Sequence, residues 1–88
     1  MEAISWCAGR GIRTVSAAGQ APKVFSDANW RQPCALFVGP ESTGLSDEEI
    51  ALTDEAVKIP MQSSVESLNV AVATGILLYE AVRQRSGM

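Results

Sequence analysis

The sequence predicts an α/β fold in which a parallel sheet carries flanking helices. Segments with strand and helix patterns alternate along the chain, the order that builds parallel sheets covered by helices. Cys34-Ala35-Leu36-Phe37-Val38 is apolar at every position, the pattern of a central strand enclosed on both faces. After Ser67 the chain runs almost unbroken through apolar residues to Val82. A helix of that kind must find a surface to bury against.

The elements follow in order. Glu2 to Arg10 has helical spacing, with Ala3, Ile4 and Cys7 on one face and Trp6 beside them. Gly11 stands where a helix C′ residue belongs. In Ile12-Arg13-Thr14-Val15-Ser16-Ala17, β-branched and polar residues alternate as in a strand. Gly19 to Pro33 shows no sustained period and reads as a surface excursion, anchored by Val24, Phe25 and Trp30. The strand from Cys34 ends at Gly39. Ser46-Asp47-Glu48-Glu49 is a capping box: Ser46 at the N-cap, a glutamate three residues on, acids at the positive helix end. That helix is short, Asp47 to Leu52. Ala56-Val57-Lys58-Ile59 is a further strand, stopped by Pro60. The final helix spans about Ser67 to Gln84, roughly 27 Å at 1.5 Å per residue, with Arg83 and Arg85 at its negative end.

The 88 residues suffice for one domain. A domain of this size buries only about 60% of its unfolded surface, so stability is marginal unless a partner adds to it. Hydrophobic residues make up 47% of the chain, too many for disorder. The net charge of −3 argues against these residues acting alone on nucleic acid, because phosphate binding needs a positive surface. The chain has no histidine, and Cys7 and Cys34 stand without CxxC spacing. Zinc sites and histidine-dependent nucleophiles are therefore excluded within it, and no metal is expected. Two unpaired cysteines and no leader-like start fit a reducing cytoplasm, with both cysteines as small buried hydrophobes. The apolar stretch from Val70 to Val82 is too short to span a membrane, which takes about 20 residues.

Two loops stand out. The first, Gly39-Pro40-Glu41-Ser42-Thr43-Gly44-Leu45-Ser46, follows a strand and leads into a helix. Gly39 permits close backbone approach, and ligands collect at the carboxyl ends of strands in open parallel sheets. Read from spacing alone, it is either part of a ligand pocket or a plain strand-to-helix turn with a surface Glu41. A phosphate loop is excluded by the lack of Gly-Lys-Ser/Thr and by the charge of Glu41. The second runs from Ile59-Pro60-Met61 to Ser67-Leu68-Asn69-Val70. Met61 suits a flexible wall and Ser67 an N-cap. Asn69 is a poor helix former at the head of an apolar helix, so its amide bonds to a nearby loop or a ligand.

In order and spacing, these segments resemble the SpoU/TrmH family of RNA ribose 2′-O-methyltransferases, in the SPOUT superfamily. The matching residues are Leu36 to Ser46, Ile59-Pro60-Met61, and Ser67-Leu68-Asn69-Val70 running on to Ala73-Thr74-Gly75-Ile76-Leu77-Leu78-Tyr79-Glu80. The resemblance covers about Ile12 to Arg85. It implies a C-terminal trefoil knot over about residues 34–85, an exception to unknotted chains, with S-adenosylmethionine held there largely by backbone. Gly39, Glu41, Gly44, Ile59, Met61, Ser67, Leu68 and Asn69 are the implied cofactor-binding residues. Glu41, Ser67 and Asn69 are also the implied catalytic set. The implied substrate is tRNA or rRNA, and the implied assembly is a homodimer through the last helix. The family usually has asparagine where Pro40 stands and glycine where Ser42 stands. Its amino-terminal motif, an asparagine followed by an arginine that activates the ribose hydroxyl, has no counterpart here, and neither Arg10 nor Arg13 replaces it. Residues 1–88 are therefore expected to be the carboxyl-terminal part of such an enzyme, either its cofactor-binding portion or a non-catalytic knotted fragment.

Overall fold

The computed structural model describes residues 2–39, 44–60 and 70–87. Helix α1 (Glu2–Ala8) buries Ile4 and Cys7. Gly11 ends it at φ +67°, a left-handed conformation that suits glycine. The Ile12 N–H reaches back to the Cys7 carbonyl at 2.9 Å and the Gly11 N–H to Ala8 at 3.3 Å, the paired bonds that close a helix C-terminus.

Strands β1 (Arg13–Ala17), β2 (Lys23–Val24), β3 (Cys34–Phe37) and β4 (Glu55–Lys58) form one sheet in the order β2-β4-β1-β3. Every pairing is parallel. β1 is enclosed, with Thr14, Val15 and Ser16 all buried. Its two buried hydroxyls are satisfied, as burial requires. Thr14 donates through N–H and hydroxyl to the Asp54 carboxylate at 2.8 and 3.1 Å, and Ser16 Oγ lies 2.9 Å from Thr53 Oγ1.

Between β2 and β3 a 3₁₀ turn, Phe25–Asp27, breaks the excursion into ordered structure. Helix α2 (Asp47–Leu52) carries both halves of the predicted capping box. Helix α3 (Val70–Ser86) packs Leu77 into a core made of Val15, Ala28, Trp30 and Val57. Val24 and Phe25 are half-buried and Trp30 is fully buried, its indole N–H bonded to the Phe25 carbonyl at 2.8 Å. The predicted anchoring of the excursion is thus observed, and Gln84 of α3 completes it. Its amide donates to the Ala28 carbonyl at 2.9 Å and accepts from the Trp30 N–H at 2.8 Å.

Two expectations are corrected. β3 lies at the end of the sheet, not in its middle, and each of its residues is only partly buried. Its neighbour β1 takes the central place, because β4 pairs on the other side of β1. Cys34 is likewise only partly buried, while Cys7 is buried. Within the single chain α3 is buried on one side. Leu77 and Glu80 face inward, while Val72, Leu78, Tyr79 and Val82 are exposed, since the rest of the chain covers one side of the helix only. Among the described residues no helix is long and apolar enough to cross a membrane.

Candidate functional site at the carboxyl edge of the sheet

Because all strands run parallel, β1, β3 and β4 end at one edge. The register aligns Ser16 with Phe37 and Ala17 with Val57. Gly39 follows two residues after Phe37 and Ile59 directly after Lys58, so each continues a strand that pairs with β1. Gly39 and Ile59 therefore leave the sheet on opposite sides of β1. The two predicted loops open at the same edge. Between them lie Ala17, Ala18 and Gly19, which sequence reading did not select. Only the strand order reveals their place, since nothing in the local pattern says that β1 separates β3 from β4.

The first loop closes at its base. A Cβ placed on Gly39 would overlap the backbone of Gly44 and Leu45. Gly44 itself takes φ +65°, so both glycines are there for backbone reasons. Leu45 then leads into the α2 cap, where Ser46 Oγ accepts from the Glu49 N–H at 3.1 Å and the Glu49 carboxylate accepts from the Ser46 N–H at 2.9 Å. Those bonds hold the Glu49 carboxyl below the usual carboxylate range. At the second loop, Ile59 is half-buried and packs against the core. Of the predicted site residues, Gly39, Gly44 and Ile59 are brought to one edge. Glu41, Met61, Ser67, Leu68 and Asn69 lie outside the described residues. Among the described residues the edge offers backbone groups and the small residues Ala17, Ala18, Gly39 and Gly44, with Lys58 the last residue of β4. Such a surface suits a nucleoside-like group held by backbone contacts.

A separate polar depression of about 330 Å³ is lined by Asp27, Ala28, Asn29, Arg31, Arg83 and Gln84. None of the predicted site residues lines it. Its arginines already have partners. Arg83 donates to both Glu80 carboxylate oxygens at 2.8 Å, and Arg31 Nε to the Gln84 carbonyl at 3.3 Å. Among the described residues no group of three or more Asp, Glu or Cys side chains is arranged to hold a metal ion.

Comparison with known proteins places this edge in a family context. The model of the SpoU rRNA Methylase family matches residues 1–79. The tRNA (guanosine(18)-2′-O)-methyltransferase of Thermus thermophilus is 48% identical over 61 residues, 69% of this chain and 31% of that protein. The 23S rRNA (guanosine-2′-O-)-methyltransferase RlmB of Ralstonia nicotianae is 44% identical over 77 residues, 88% of this chain and 31% of that protein. The solved structure of the SpoU methyltransferase AviRb from Streptomyces viridochromogenes, in complex with AdoMet, superposes with a TM-score of 0.89 at 37% identity, covering 99% of this chain and 36% of that one. The chain thus spans about a third of the length of the proteins it matches.

Proposed function

This chain belongs to the SpoU rRNA methylase family, and from that premise we propose that it is the carboxyl-terminal, cofactor-binding part of an S-adenosylmethionine-dependent ribose 2′-O-methyltransferase acting on tRNA or rRNA. The observation that carries the reading is the convergence of Gly39 and Ile59, one from each family motif, on either side of the β1 end. Support also comes from the AdoMet complex of a structure that this chain matches almost throughout.

When bound, S-adenosylmethionine supplies a methyl group on a sulfonium, which is already a good leaving group. The protein has then to position the pair and remove a proton. Gly39, Gly44, Ile59 and Leu68 hold the cofactor mainly through backbone. Met61 walls the pocket, while Glu41, Ser67 and Asn69 orient the reacting groups. The proton acceptor comes from outside residues 1–88. The chain folds through residues 34–85 as a trefoil knot, pairs with a second copy through α3, and works in a reducing cytoplasm.

Calorimetry with S-adenosylmethionine, joined to a methyl-transfer assay on tRNA and rRNA, tests this. Saturable cofactor binding by residues 1–88 is expected, with transfer to the ribose hydroxyl only in the longer polypeptide. A chain that binds no cofactor overturns the reading. A second reading is a non-catalytic knotted fragment that binds cofactor or dimerises. Cofactor binding with no transfer in any form of the protein selects it.

A further inference from the structure

Charge is unevenly placed in this acidic chain. Seven lysines and arginines stand against ten acidic residues, yet four of the seven gather about the segment that leads into β3. Arg13 donates from Nη2 to the Asn29 carbonyl. Arg85 donates from Nε to the Trp30 carbonyl at 2.8 Å and from Nη2 to the Gln32 carbonyl at 3.3 Å. Arg31 donates from Nε to the Gln84 carbonyl at 3.3 Å, one residue from Arg83 on α3. Arg13 and Cys34, the first residues of β1 and β3, stand in register here. The cluster therefore lies at the amino edge of the sheet, opposite the candidate site. About 13 Å of strand separates Arg13 from Ala17 at the usual rise per residue.

What neutralises each charge differs. Glu80 pairs with Arg83, and Glu55 with Arg13 and, at 3.6 Å, with Lys23. Arg31 and Arg85 are held instead by backbone carbonyls, which orient a guanidinium without cancelling its charge. Both are exposed. Arg31 lines the polar depression of about 330 Å³, where Asp27 is the one carboxylate among the described residues, against Arg31 and Arg83. Asn29 lines it as well. Its Oδ1 accepts from the Arg31 N–H at 3.0 Å, which leaves the amide nitrogen as a neutral donor. Among the described residues only Nε of the Arg31 guanidinium is bonded, so its terminal N–H groups stay available. A guanidinium held in this way suits the oxygens of a phosphate.

We propose that this arginine cluster, led by Arg31, docks the phosphodiester backbone of an RNA, away from the reaction site and without reading its bases. The proposal rests on the reading of this chain as part of an RNA methyltransferase. Arg31 and Arg85 are two separate exposed cations, each anchored on the other's segment. That spread matches successive phosphates better than one small anion. Contacts of this kind fix position and orientation and carry no sequence information. The net negative charge of the chain is no obstacle, because binding follows the local potential and not the total.

Filter retention of unfractionated tRNA by the longer polypeptide, at several salt concentrations, tests the proposal. Arg31→Ala should lower affinity several-fold at about 0.1 M salt and reduce the slope of log affinity against log salt by about one, while Arg31→Lys restores much of both. A loss of folded protein lowers the active fraction and leaves the slope as it was, so the slope separates docking from a structural role. Parental affinity and slope in Arg31→Ala overturn the proposal, as does a fall in affinity with the parental slope. Suppose inorganic phosphate protects the parent against thermal unfolding, and Arg31→Ala loses that protection with its RNA slope unchanged. The depression is then a small-anion site and the RNA assignment falls. Calorimetry with S-adenosylmethionine on the same variants keeps the two readings apart. Cofactor binding with RNA affinity indifferent to Arg31 defeats only the docking surface, whereas Arg31-dependent RNA binding without cofactor binding defeats only the cofactor assignment.

Discussion

Gly39 shows how a single missing side chain can shape a site. Its Cα lies so close to the Gly44–Leu45 peptide that any Cβ would have to displace backbone, and backbone gives way less easily than a flexible side chain. Gly39→Ala should therefore destabilise the fold by about 1–3 kcal/mol, the usual cost of overpacking, and weaken S-adenosylmethionine binding by opening the base of the loop. Urea denaturation and calorimetry on the same preparation check both effects. Unchanged stability would mean that the loop has room to relax. Glu80 makes a different argument at the same scale. It is buried on α3, where hydrogen bonds from Arg83 and then Gln84 pull its carboxyl down to about 2. A carboxylate with a depressed folded pKa stabilises above its unfolded value of 4.5 and loses that contribution as pH falls toward 2. Stability should therefore decline across that window, and Glu80→Gln should flatten the decline. Asp54, held below its usual range by the Thr14 N–H and hydroxyl, contributes in the same direction. It leaves a residual slope in the variant.

Elements were legible in the sequence to the extent that their signals are local. The capping box fixed α2 at Asp47–Leu52 as expected, because Ser46 and Glu49 bond reciprocally within one turn. Ser46→Ala should cost about 1 kcal/mol, read as a shift of the denaturation midpoint with an unchanged slope. Gly11 and Pro60 likewise mark boundaries through their own backbone constraints. What the pattern could not give was β2 and the 3₁₀ turn, since two residues of strand have no period and depend on pairing with Val57 and Lys58 across the sheet. Nor could it give the clamp between the excursion and α3, which joins residues more than fifty positions apart. Gln84 binds both Ala28 and Trp30, and Arg85 Nε donates to the Trp30 carbonyl at 2.8 Å. Gln84→Ala leaves a buried N–H and a buried carbonyl unpartnered, so a loss of about 1–3 kcal/mol is expected. Its companion Arg85→Ala removes a side chain that is itself exposed, so water can replace it, and should cost less. Equal losses from the two substitutions would contradict the clamp.

At the scale of the molecule, the sequence made the two motif segments visible as a pair, but not the strand that lies between them. Motif spacing is a property of the chain, whereas the order β4-β1-β3 is a property of pairing, and only pairing brings Ala18 and Gly19 to the site. The same distinction explains the misplacement of β3, whose composition is that of a central strand while its described neighbours leave it at an edge. It also explains α3. The helix is apolar nearly all round, and within one chain part of that surface stays exposed: Val72 at 52%, Leu78 at 57%, Tyr79 at 65% and Val82 at 55%. These positions recur at three- and four-residue intervals, so they form one stripe along the helix, opposite the inward-facing Leu77 and Glu80. Gly75, with no side chain, lets another helix approach closely midway along the stripe. A second copy laid against it by a two-fold axis would pair the same residues with themselves. Sedimentation equilibrium should then find a dimer at micromolar concentration. Leu78→Glu should return it to a monomer with little change in intrinsic stability, because that side chain is 57% exposed in the single chain. A parent chain that remains monomeric throughout, or a variant that dimerises as well as the parent, would remove α3 as the contact and leave its exposed face to the rest of the polypeptide.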